Sequence, residues 1–371
     1  MKKISSVIFL LTFLVFINCK NNAGEASSSD ENDQGNKFYQ SVIKLGNGFL
    51  DVFTSFGGLV ADAFGLKADP KKSEVKTYFE GIAKKLEETV TSLEKLLEDS
   101  GAAGKAGGAG KADEAGKAGD ADKAGSDVES AVSKISELIK EMVTAAKVGA
   151  AGATGGAADA IAAVAAAAGA QAAVAANGDS VKGIAKGMKG IVEAAGKLGV
   201  ELAAAAVAGA AANGDAGNLF AGDGANIAQI GNAVDAVSKV SGKQILKAIV
   251  DSADEAGAQP ANAGSPIAAA IGDAGAGNGG VAAPFGAANG NMDRDDNIAA
   301  AIVLRGMAAS GKFAHGADAN GALGIKKGMK IAVESAVSKT VTALTDLVRE
   351  AVQKGLKTVA DAVKAAGNDG P

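Results

Sequence analysis

Apolar residues three and four positions apart recur along most of this 371-residue chain, and that spacing is the period of one face of an α-helix. The longest stripe runs Val333, Val337, Val341, Leu344, Val348, Val352, Leu356, Val359 and Val363, about eight turns provided Gly355 does not interrupt it. A second stripe, Val75, Phe79, Ile82, Leu86, Val90, Leu93 and Leu97, follows the start signal Asp69-Pro70 and ends near Ser100-Gly101. A third runs Val128, Val132, Ile135, Leu138, Ile139, Met142 and Val143, and a fourth runs Leu45, Phe49, Val52, Phe56, Leu59 and Val60. Strand-like alternation does not recur. The four stripes can cover one another, so an all-α fold is expected with the stripe residues as its core.

Composition says how such helices must pack. The chain holds 84 alanines and 52 glycines but no tryptophan, 2 tyrosines and 12 phenylalanines, so its core is built from Val, Ile, Leu and Ala through close approach of small side chains. One histidine, one cysteine and 5 prolines leave little for metal sites, nucleophilic triads or disulfide frameworks. His315 has no second histidine to share a metal, and no nucleophile is advertised beside it. Gly275 to Gly280 fits a dinucleotide glycine pattern without its strand, helix or downstream acid, and Gly306 to Lys312 has phosphate-loop spacing with Phe313 where Ser or Thr must stand. The expectation is a chain that is not an enzyme and takes no cofactor. A formal charge of −5 disfavours a nucleic-acid partner.

The N-terminus is organised differently. Lys2 and Lys3 precede an apolar run from Ile4 to Ile17 that is short for a permanent span. It reads as a secretory leader over residues 1–18. Cys19 follows at once, where lipoprotein processing attaches acyl chains, and two or more chains anchor a protein stably. Lys20 to Asn36 is polar and Gly/Ser/Asn-rich, a tether completing residues 19–36. Residues 37–371 are expected to form one helical domain, loop-rich at about 101–126 and 258–291, where Gly, Lys, Asp, Asn and Pro concentrate. Ala150 to Ala176 reads as a surface or half-buried alanine helix rather than a span.

Short echoes tie the body together: Ala-Val-Ser-Lys at 131–134, 236–239 and 336–339, and Lys-Gly-Met-Lys at 186–189 and 327–330. No constant period joins them, which argues against a solenoid and for duplicated or recombined segments.

The leader ending Phe16-Ile17-Asn18-Cys19, the Ala/Gly body, the run Met292-Asp293-Arg294-Asp295-Asp296-Asn297-Ile298-Ala299-Ala300-Ala301-Ile302-Val303-Leu304-Arg305-Gly306-Met307-Ala308 and the following Gly311-Lys312-Phe313-Ala314 together resemble the variable large proteins of relapsing-fever spirochaetes. That variable major protein family is related to the variable surface antigen of Lyme-disease spirochaetes. Phe16, Ile17 and Asn18 depart from the usual lipobox, and spirochaetal lipoproteins tolerate such departures. The resemblance implies an elongated helical bundle, its N- and C-terminal helices paired near the membrane and its variable Gly/Ala-rich loops at the distal end. It further implies a lipid-anchored place on the outer membrane facing the exterior, antigenic variation, and host antibodies as partners. Met292, Asp293, Arg294, Asp295, Asp296, Ile298, Ile302, Arg305, Gly306, Met307, Lys312 and Phe313 fall in the segment that the family holds constant.

From the residues themselves, Asp293, Asp295 and Asp296 stand where a helix macrodipole favours acids, ahead of a face of Ile298, Ala301, Ile302 and Arg305. This helix is expected to be covered by surrounding loops, in a structural role. The alternative function is adhesion to host glycosaminoglycans through Lys182, Lys186, Lys189, Lys326, Lys327 and Lys330, against the plainer reading of these lysines as a solvated face.

Overall fold

A computed structural model describes residues 69–105, 118–156, 159–164, 173–202, 213–220, 225–255, 263–272, 285, 291–314 and 322–368. These residues belong to a unit spanning Val42–Pro371. The leader, Cys19, the tether, the Leu45–Val60 stripe, His315 and the Gly275–Gly280 motif lie outside them. Among the described residues the fold is all-α, with single bridge pairings in place of strands.

Three long helices correspond to three of the apolar stripes: α1 (Lys72–Lys105), α2 (Ala118–Gly152) and α8 (Ala322–Asn368). Their stripe residues are buried almost without exception, from Val75 and Phe79 on α1 through Val132 and Ile139 on α2 to Val341 and Val363 on α8. Gly355 does not break α8; it lets Ile135 of α2 approach, since a Cβ there would lie 2.8 Å from the Ile135 side chain. Between α2 and α8 come α3 (Gly178–Lys197), a 3₁₀ turn (Gly214–Phe220), α4 (Ile227–Lys239), α5 (Gly242–Asp251), α6 (Pro266–Ile271) and α7 (Asp295–Met307).

Packing follows from side-chain size. Helices α2 and α3 cross through glycines: a Cβ on Gly183 would sit 2.6 Å from Gly152 Cα, and one on Gly187 would sit 2.5 Å from Gly149 Cα. Hydrogen at Gly152, Gly183 and Gly187 lets the backbones meet, while at Gly149 it makes room for the Phe79 ring of α1, 2.7 Å from where a Cβ would lie. Tyr78 ties α1 to α8, donating to or sharing its hydroxyl with Val341 O and Thr345 Oγ1, both at 2.8 Å. Helix α8 then contacts α2, α3, α4, α5 and α7, a single spine against which the shorter helices lie.

The helices reach further than the sequence reading allowed. The stretch at 101–126 was expected to be loop, yet α1 continues to Lys105 and α2 already begins at Ala118. Alanine and lysine are good helix formers, and extending an existing helix costs far less than nucleating one, so glycines near the ends are tolerated. Within 258–291, expected to be loop-rich, Pro266–Ile271 forms the buried helix α6, with Ser265 as N-cap and proline at its first turn. The expected alanine helix over 150–176 is corrected in the opposite sense. Helix α2 stops at Gly152, and the described residues beyond it are extended or turning. Val164 pairs with Phe313 and Val174 with Lys312, so tertiary pairing overrides alanine's helix propensity. No described helix is long and apolar enough to cross a membrane.

Candidate functional site: a buried helix with a cation-capped C-terminus

Helix α7 carries the residues that the sequence marked most sharply. Every residue of it except Asn297 is buried. Ile298, Ile302, Met307 and the preceding Met292 are fully enclosed, and Gly306 lets α7 approach Ile161 and Val333 closely. Among the described residues, helices α3, α4, α5, α6 and α8 pack against α7, and the loop residue Ile161 meets it at Gly306. A face of Ile298, Ala301, Ile302 and Arg305 understates the result, because the helix is apolar or enclosed all round.

The N-terminus of α7 is held by acids, as the macrodipole favours. Asp295 and Asp296 occupy the first turn. Asp295 accepts from Asn213 Nδ2 at 2.8 Å, and the same amide donates to Asp235 at 2.9 Å. Asp235 also pairs with Lys239, which together with Asn213 holds its carboxyl below the usual range. Arg294 grips Asp296 with two hydrogen bonds at 3.0 and 2.5 Å. Asp293 is half-buried just ahead of the helix.

Its C-terminus is held by a cation from far away in sequence. Lys72, the first residue of α1, is fully buried and its Nζ donates to Arg305 O at 3.0 Å, Gly306 O at 2.8 Å and Ala308 O at 2.6 Å. An ammonium has three hydrogens, and three orphan carbonyls accept them. Burial pushes the Lys72 pKa down to about 7, opposed by nearby Asp159 and assisted by Arg305 and Lys312.

Arg305 repeats the device one helix on. Its guanidinium is fully enclosed, donating to Ala269 O at 2.9 Å, Ala270 O at 3.2 Å and Gly272 O at 2.6 Å, the C-terminal carbonyls of α6. Its carbon lies 4.7 Å from the centre of the Phe220 ring. Phe313 meets that ring edge-on and Phe285 packs on it at a tilt. A delocalised, weakly hydrated cation suits such an apolar enclosure better than a lysine would.

Lys312 lies beside Asp159, 3.8 Å away, and its backbone pairs with Val174. The Gly306–Lys312 spacing therefore closes a helix against its neighbours, and the backbone it would need for a phosphate is engaged. The lysine clusters are split by their partners. Lys189 binds Asp254 and lies near Glu193; Lys330 binds Asp69 and lies near Glu334. Lys186, Lys326 and Lys327 are exposed, and Lys182 is half-buried. Among the described residues no group of three His, Cys, Asp or Glu could hold a metal.

The repeated Asn-Gly-Asp at 213–215 marks a turn in the sequence, but nothing there points to Asn213 bridging Asp235 and Asp295. Nothing local distinguishes Lys72 or Phe220; Lys72 stands at a helix start like any solvated lysine, and its partners lie 233 to 236 positions away.

A family model described as Borrelia lipoprotein matches residues 49–363, most of the chain. The chain belongs to the Borrelia lipoprotein family. Within it, Variable large protein 4 of Borrelia hermsii is 33% identical over 98% of this chain and 93% of its own length. Variable large protein 12 of the same organism is 32% identical over 98% and 92%. The crystal structure of the Lyme disease variable surface antigen VlsE of Borrelia burgdorferi superposes with a TM-score of 0.66 at 46% identity, covering 88% of this chain and 99% of that one. The chain thus shares both sequence and helical fold with the variable antigens that its Met292–Ala314 segment resembles.

Proposed function

We propose that this Borrelia lipoprotein is displayed on the outer membrane, anchored through acylated Cys19, and that it serves antigenic variation against the host antibody response. The observation that carries the reading is the enclosure of α7: the most family-specific segment leaves almost nothing accessible, so an antibody meets the remaining sequence. A scaffold closed by helix packing tolerates exchange at its surface, where substitutions usually cost within about 0.5 kcal/mol. Whole-length identities near a third to the variable large proteins support divergence around a kept fold.

The test pairs mass spectrometry of the mature N-terminus with protease treatment of intact cells. Acyl chains on Cys19 and loss of the body to external protease are expected. A free thiol at the N-terminus, or a body protected until cells are lysed, would overturn the reading. Glycosaminoglycan adhesion draws on exposed Lys186, Lys326 and Lys327, while the ion pairs of Lys189 and Lys330 weigh against a free basic surface. A salt-sensitive loss of heparin retention in Lys186→Glu would favour it.

A further inference from the structure

One stretch of sequence occurs twice, and its two copies have different surroundings. Gly183-Ile184-Ala185-Lys186-Gly187-Met188-Lys189 on α3 returns as Gly324-Ile325-Lys326-Lys327-Gly328-Met329-Lys330 near the start of α8, and Val192-Glu193 returns as Val333-Glu334. Met188 and Met329 are both fully enclosed. Lys189 and Lys330 each pair with an acid outside their own helix, Asp254 and Asp69, and each lies near the glutamate one turn on. The copies part at their glycines. On α3, Gly183 and Gly187 both receive helix α2, with Gly152 Cα and Gly149 Cα at 2.6 and 2.5 Å from where a Cβ would lie. On α8, Gly328 receives the Ile230 side chain of α4 at 2.7 Å, but Gly324 has nothing within 4 Å.

Beside Gly324 runs a groove of about 390 Å³ between α4 and α8, lined by Ile227, Ile230, Gly231 and Val234 on one side and by Gly324 and Gly328 on the other. Gly231 is exposed and also has nothing within 4 Å. Four large apolar side chains are exposed among the described residues, and two belong here: Ile227, 56% exposed, lines the groove, and Ile331, 50% exposed, continues the glycine stripe of α8. Charge divides between the same two helices. Asp235 lines the groove from α4, whereas Lys326 and Lys327 of α8 are exposed and form no ion pair among the described residues.

We infer that this groove takes a second copy of the chain. An interface between identical subunits related by a two-fold axis must be self-complementary, so that what one helix offers the other receives. This patch meets that condition. Each helix presents a bare glycine and an exposed isoleucine, and the acid stands on one helix with the free lysines on the other. The axis lays α4 of each copy across α8 of the other, Gly231 on Gly324, and so supplies on α8 the glycine crossing that α2 supplies on α3. Isoleucines that face water in one copy are covered in the pair. The patch is far smaller than the roughly 20–30 residues a side of a stable interface, so the pair is a weak one that forms as concentration rises.

The experiment uses the full chain carrying either Gly231→Cys or Gly324→Cys, exposed positions with room for a side chain. The two variants are mixed, treated with a short bismaleimide over a range of concentrations, and digested for mass spectrometry. A peptide joining positions 231 and 324 is expected, rising with concentration; since neither chain holds both introduced thiols, it arises only between copies. Each variant alone, and the native chain with Cys19 as its sole cysteine, set the background. Ile227→Glu with Ile331→Glu in both chains is expected to lower the yield by about tenfold or more, while the melting temperature of the dilute protein stays within about 2 °C because both side chains already face water. Absence of the 231–324 peptide, a yield that the glutamates leave unchanged, or 231–231 links as abundant as 231–324 links overturns the inference. So does an introduced thiol that free maleimide cannot label in dilute protein, which would show the groove filled by its own chain, or a link made instead to a different protein on intact cells. None of these readouts depends on acylation of Cys19, so surface display stands or falls separately.

Discussion

Lys72 Nζ lies 3.0 Å from the backbone oxygen of Arg305, and the guanidinium of that same Arg305 donates to Gly272 O at 2.6 Å. The two cations are therefore in series: α1 closes α7, and α7 closes α6. Because Lys72 helps fix the backbone from which Arg305 reaches, loosening the first should loosen the second. A double-mutant cycle on Lys72→Met and Arg305→Lys, followed by chemical denaturation, is expected to give an interaction energy of about 0.5–3 kcal/mol. Strict additivity would show the two caps to be independent.

Burial of Lys72 also sets a pH dependence. Its folded pKa of about 7 lies below the ordinary lysine value of 10.5. Between those values the unfolded chain binds more protons than the folded one, so this group makes stability rise with pH from about 7 upward, by up to about 1.4 kcal/mol per pH unit. Measured as the difference between the native protein and Lys72→Met, stability should move in favour of the native protein by about 1 kcal/mol or more from pH 7 to pH 8.5. A flat difference would mean that the three carbonyls and Asp159 fully offset desolvation.

The glycine crossing of α2 and α3 is expected to be intolerant of a single methyl. Gly187→Ala places a Cβ 2.5 Å from Gly149 Cα, backbone that cannot rotate aside, and should cost about 1–3 kcal/mol. Gly231→Ala is the control: it is exposed within α4 with nothing inside 4 Å, and should stabilise by about 0.5–1 kcal/mol. Thermal melts of both distinguish contact from propensity, since a shared sign would reject the close-packing account.

Tyr78→Phe keeps the ring in the core and removes only the hydroxyl that meets Val341 O and Thr345 Oγ1. A loss of about 1–2 kcal/mol is expected in denaturant titrations. In the native protein burial raises the Tyr78 pKa, so the neutral phenol contributes stability below pH 10 that declines above it.

Enclosure of α7 predicts its dynamics. Its amides should exchange with deuterium only through opening of the whole unit, as slowly as those at the centre of α8. Rapid exchange at Ile298–Val303 in the folded protein would place the helix at a surface instead.

Periodicity alone determined the long elements. An apolar residue every third or fourth position has one low-energy arrangement, a helix with its stripe buried, and α1, α2 and α8 follow it because their length averages out glycines. The acids opening α7 were equally legible, since the macrodipole acts within one turn. Only the tertiary structure decided where Ala150–Ala176 leaves the helix, that six residues at Pro266 form one, and that Lys72 and Arg305 are buried caps. Each of those outcomes depends on partners tens to hundreds of positions away. A cation beside a helix start looks the same in sequence whether water or three carbonyls surround it.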